Sequence, residues 1–147
     1  MENGRYDLGA RIPGDFAIKI HIMNNTALIH ELKDSFARQL TWYRQLDGLV
    51  SKALSSIILS RGDLSQVMSG MGEKQELLDA ITQERERIQP TIGEWQERKT
   101  ELSRAPEAAE LTSLFDQTEE TIKSFLKNEE QLKTYLEHLI AREGSNT

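Results

Sequence analysis

Residues 111–139 read LTSLFDQTEETIKSFLKNEEQLKTYLEHL, and their spacing decides the fold. Leu111, Phe115, Thr118, Ile122, Phe125, Glu129, Leu132, Leu136 and Leu139 follow one another at intervals of three or four. That interval marks one face of an α-helix, because 3.6 residues complete a turn. Glu119–Lys123 and Glu129–Lys133 stand one turn apart with opposite charge and support the same helix.

The same period extends upstream. Leu78, Ile81, Arg85, Ile88, Ile92, Trp95, Lys99 and Leu102 form a second stripe that keeps phase across Pro90. Proline removes a backbone donor and crowds the preceding turn, so a kink is expected there and not a chain reversal. A first stripe runs through Leu32, Phe36, Leu40, Tyr43, Leu46, Val50, Leu54 and Ile57. Asn25 or Thr26 is its expected N-cap, and Gly62 its left-handed terminator. Asp63-Leu64-Ser65-Gln66 has the form of a capping box. Gly70 and Gly72 weaken the pattern that follows, so residues 63–72 are expected to form a short connecting helix and bend. Ser103 to Glu107 make the next turn, with Pro106 at or near the first helical position.

The expected fold is therefore all-α: three long antiparallel amphipathic helices, as a bundle or long hairpin, with a short connecting helix after the first. Residues 1–23 are expected to be an irregular N-terminal arm, residues 24–142 the helical domain, and residues 143–147 a frayed tail. Phe16 to Ile22 alternates in part like a strand, but no second strand is evident to pair with it. It is expected as an extended arm lying on the bundle, or, should Met23 be the start, as part of a dispensable extension. It lacks the basic start and apolar stretch of a signal peptide.

Composition excludes several classes of function. Apolar residues make up 37% and charged residues 29%, a balance suited to helices with one buried stripe and a wide solvated face. There is no cysteine, so disulfides, thiolate metal sites and cysteine nucleophiles are excluded. The net charge is −6, and residues 107–143 alone carry nine acidic against four basic side chains. Such a chain is a poor ligand for nucleic acid and for anionic membrane surfaces. No apolar run approaches the ~20 residues that span a bilayer, so no membrane insertion is expected.

No catalytic constellation emerges. His30-Glu31 lacks a second histidine one turn on, and neither His21, His30 nor His138 follows a glutamate by three residues. Ser69-Gly70-Met71-Gly72-Glu73-Lys74 does not match a phosphate loop, and Gly-x-Ser-x-Gly is absent. Catalytic residues, metal ligands and cofactors are therefore expected to be none. Arg85, Lys99 and Glu129 interrupt apolar stripes. Either Arg85 pairs with Glu129 and fixes the register, or both heads reach solvent along their aliphatic stems. Trp42, Tyr43 and Trp95 are core or partner anchors. Leu114, Leu126 and Ile140, with Ile29, Leu49 and Ile58, lie outside the stripes and imply a second apolar face for a partner.

The stretch from Ala53 to Arg87 resembles the FlgN-type flagellar export chaperones. The resemblance rests on Ala53-Leu54, Gly62-Asp63-Leu64, Glu73-Lys74-Gln75-Glu76-Leu77-Leu78 and Ile81. It implies a cytoplasmic chaperone, not an enzyme, that holds a hook-filament junction protein before type III export. In that family the C-terminal helical region engages an amphipathic C-terminal segment of the client, and residues 108–140 match it here. The expected partner-binding residues are Phe115, Ile122, Phe125, Leu126, Leu132, Leu136 and Leu139. The N-terminal extension and Pro90 depart from the family pattern. The alternatives are a structural coiled coil that self-associates as a homodimer through the same stripe, or a flagellar chaperone of the flagellin or filament-cap type.

Overall fold

The computed structural model describes residues 24–145. Four helices follow in order: α1 (Asn25–Leu59), α2 (Ser65–Glu97), α3 (Lys99–Leu102) and α4 (Glu107–Ser145). The fold is all-α, and at 1.5 Å per residue the 35 residues of α1 span about 50 Å. The expected arm at 1–23, with its Phe16–Ile22 segment and His21, lies outside the described residues. The last helix continues through Gly144 to Ser145, past the 142 boundary expected from the sequence.

The chain runs up, down and up. Arg87 on α2 meets Glu31 on α1 at 3.2 Å, which sets those helices antiparallel. Lys33 pairs with Glu110, and Ser124 donates to Asp47 at 2.9 Å, so α4 runs alongside α1 in the same direction. Both α2 and α4 pack their backbones mainly on α1 and hardly on each other. The first helix is thus the spine of the bundle.

Local chemistry explains the helix ends. Asn24, one residue before the expected caps, adopts extended backbone and its Oδ1 accepts the Ala27 N–H at 2.7 Å. Asn25 is already inside the helix, and its side chain bonds Arg98 and Glu101 instead. At the other end, the Gly62 N–H reaches Ile57 O at 2.9 Å and the Arg61 N–H reaches Ile58 O at 3.3 Å, which closes α1. Both Arg61 (φ 60°) and Gly62 (φ 115°) have left-handed backbone. Asp63 Oδ1 then accepts the Ser65 N–H at 2.9 Å, and that bond holds its carboxyl below the usual range.

The connecting helix expected over 63–72 is instead the opening of α2, which continues through Gly70 and Gly72. Each glycine costs a helix about 1 kcal/mol relative to alanine, but Val67 and Leu77 on either side pack against the core and hold the segment helical. Among the described residues the one short helix is α3, between α2 and α4, and it inserts Leu102 fully into the core. Helix α2 also continues through Pro90 without reversing.

The core falls into two clusters. One gathers Leu28, Ile29 and Leu32 with Ile88, Trp95, Leu102 and Leu111. The other gathers Leu46, Val50 and Ile57 with Leu77, Ile81, Phe125 and Leu132. Ile29, expected on a second face, is fully buried. Between the clusters lie the buried polar side chains Ser35, Gln39, Glu84 and Thr118.

Candidate functional site

Two places in the bundle are unlike the rest, the polar layer at its middle and the end that carries the α1–α2 turn. In the polar layer, Glu84 is 9% exposed and accepts from Arg38 at 2.8 Å and from Arg87 at 2.6 Å. The Arg87 bonds, with help from Ser35 and Arg38, hold its carboxyl down at about 2 against the desolvation that would raise it. Arg87 is raised in turn, chiefly by Glu84 and further by Glu31. Gln39 Nε2 donates to Ser35 Oγ at 3.1 Å, and Thr118 Oγ1 donates back to Leu114 O at 2.7 Å.

Because α2 and α4 stand apart, this layer opens into a cleft of about 380 Å³. Its floor is Phe36, Gln39 and Tyr43 of α1. Arg85, Gln89 and Ile92 form one wall, and Thr118 and Ile122 the other. The cleft is bounded along the bundle at both ends. Phe115 stacks edge-on against Phe36 (4.7 Å between ring centres) and Trp95 (6.0 Å) on one side, and Lys74 pairs with Glu129 across α2 and α4 on the other. The Arg85–Glu129 pair considered from the sequence is therefore not formed. The register sets Arg85 opposite Thr118 and Ile122, about two turns short of Glu129.

The expected partner-binding residues of α4 sit mainly inside. Phe125 and Leu132 are buried in the core. Ile122, Leu136 and Leu139 pack against the same cluster, and Phe115 against the other. Leu126 alone of the seven is exposed, at 56%. The stripe is the face α4 turns toward α1. An amphipathic pattern gives the buried side of a helix and leaves open whether the burial is within the chain or against a partner.

Compared with known proteins, the chain matches no family model, no curated protein and no solved structure.

The exposed apolar surface gathers elsewhere. Of the seven large apolar residues exposed among the described residues, Ile58, Leu59, Leu64, Met68, Met71 and Ile140 lie at the turn end of the bundle. Leu64, Met68 and Met71 are spaced i, i+4, i+7, one outward stripe that runs from the N-cap residue of α2 into its first turns. Leu59 is 84% exposed just before the turn. The Leu139 side chain lies against Gly62, which sets Ile140 beside the same end. The sequence signal for this patch was the second apolar face that includes Ile58 and Ile140. Leu64, Met68 and Met71 carry no such signal, because they fall in residues 63–72, expected as a short connecting helix and bend with no stripe of their own. Among the described residues no group of three or more His, Cys, Asp or Glu is placed to hold a metal ion, and no helix is long and apolar enough to cross a membrane.

Proposed function

We propose that this chain is a helical, non-enzymatic chaperone that holds an amphipathic helix of a client protein, with the turn end of the bundle as its docking surface. The observation that carries the reading is the exposed stripe Leu64, Met68 and Met71 beside Ile58 and Leu59. Exposed apolar groupings of this kind mark interaction surfaces, and methionine adapts to varied partners. The resemblance over Ala53–Arg87 supports the flagellar assignment, since its Gly62-Asp63-Leu64 break is the turn that presents the patch. On that assignment the client is the C-terminal segment of a hook-filament junction protein, held in the cytoplasm before type III export.

Charge favours a client over a second copy. Two chains of net charge −6 repel, whereas a client helix flanked by lysine or arginine is drawn to the acidic α4. The test is titration calorimetry of the full chain with C-terminal segments of hook-associated proteins. Leu64→Asp with Met68→Asp is expected to weaken binding by at least about tenfold, because apolar anchors dominate such interfaces. Leu126→Asp is expected to leave binding unchanged. Undiminished binding by the folded double variant, or sedimentation showing a dimer that the same double variant dissolves, overturns the reading.

A further inference from the structure

The mid-bundle cleft has no part in that docking surface, and its chemistry points to a different occupant. Among the described residues Arg85 forms no ion pair, whereas Arg38, Arg87, Lys33 and Lys74 each meet a carboxylate across helices. Tyr43 is 6% exposed, and among the described residues its hydroxyl meets no hydrogen-bond partner. Gln39 is 3% exposed and uses one amide N–H on Ser35, which leaves its second N–H, a donor in the cleft floor, without a partner among the described residues. Burying a hydroxyl or an amide without a partner is unfavourable, so a cleft lined by such groups calls for something polar to meet them. The other lining is apolar: Phe36, Ile92 and Ile122. The volume of about 380 Å³ lies at the small end of the range of ligand pockets.

We propose that this cleft binds a monocarboxylate with a short apolar tail. The carboxylate lies between the Arg85 guanidinium, whose planar fork matches it, and the Tyr43 hydroxyl, which donates to it. The tail lies on Phe36, Ile92 and Ile122. A single negative charge suits the site better than a phosphate dianion, because the rest of the chain is acidic. A free medium-chain acid and the C-terminal carboxylate of a peptide ending in leucine share this chemistry.

Titration of the full chain with octanoate, and with a leucine-ended tetrapeptide in free-acid and C-terminally amidated forms, separates the two sources. Octanoate binding without the tetrapeptide identifies a free acid, and the free-acid tetrapeptide binding alone identifies a chain terminus. Octylamine and the amidated peptide are expected not to bind. Arg85→Gln, at an exposed position, is expected to weaken the bound acid by about tenfold or more, and Tyr43→Phe by a smaller factor. Tyr43→Phe breaks no hydrogen bond among the described residues, so its thermal midpoint is expected to stay or rise while affinity falls, which a merely structural role would not produce. Failure of both acids to bind at millimolar concentration, equal binding of octylamine, or undiminished binding by folded Arg85→Gln overturns the proposal.

Discussion

Glu84 stands between two arginines at the level where the apolar core is interrupted, and it is the one carboxylate among the described residues that is buried. Its ionised form receives bonds from Arg87 and Arg38, and Arg87 reaches on to Glu31, so one side chain joins α2 to α1. The folded protein holds this group at about 2, against an ordinary value of 4.5. A depressed carboxyl stabilises the fold fully above its unfolded value, and that stability is lost as pH falls through the folded value. The loss therefore runs from about pH 4.5 down to about pH 2. The span corresponds to about 3 kcal/mol, and screening at the half-exposed arginines reduces it to about 2 kcal/mol. Urea unfolding at several pH values is expected to show this decline in the native chain and a shallower one in Glu84→Gln. Parallel acid profiles for the two would show that the arginine bonds contribute nothing. The sequence placed Arg85 and Glu129 on the seam, but not Glu84, because a glutamate in an acidic helix has no mark that distinguishes a buried partner from a solvated one.

At the scale of the helices, the spacing rule served well where apolar residues are dense. Leu32, Leu40, Tyr43, Leu46, Val50 and Ile57 of α1, and Ile81, Ile88 and Trp95 of α2, are buried as their period requires. It was weaker at the ends, where a side-chain bond and not a period decides. Asn24 caps α1 because its carbonyl oxygen reaches the Ala27 N–H, and Asn25 is drawn off to Arg98. Gly70 and Gly72 weaken the helical pattern in the sequence, yet neighbouring core contacts keep them helical. The α1 terminus offers a direct test. Left-handed backbone costs a non-glycine residue about 1 kcal/mol, and Arg61 holds φ at 60°. Arg61→Gly is therefore expected to raise stability by about 0.5 kcal/mol or more, less what the looser unfolded chain takes back. Gly62→Ala is expected to lower it, since φ is 115° there; the Leu139 side chain, 3.5 Å from where the new carbon would stand, makes ordinary contact and adds no clash. A lower denaturation midpoint for Arg61→Gly would mean that its side chain does something at the turn that the backbone cost conceals.

At the scale of the molecule, α1 carries the fold because it is the helix both of the other long helices pack on. Releasing α2 exposes Ile81, Ile88 and Trp95, and releasing α4 exposes Leu111, Phe125 and Leu132, but either leaves α1 half covered. Freeing α1 exposes both interfaces together. Partial opening should therefore proceed by loss of α2 or α4, while the middle of α1 opens only when everything does. The polar layer divides the core further, so the turn end, with its exposed Leu59, Met68 and Met71, can loosen while the cluster around Trp95 and Leu111 stays packed. Hydrogen exchange read by mass spectrometry is expected to rank peptides accordingly. Those covering 40–50 should be slowest, those covering 111–132 and 77–95 faster by about tenfold or more, and those covering 65–72 and 139–145 fastest, a tenfold step being about 1.4 kcal/mol of opening free energy. Protection in α4 equal to that in α1 would contradict a spine-and-wings arrangement, because it would require α2 and α4 to close on each other across the cleft and so share the burden that α1 carries alone in this geometry.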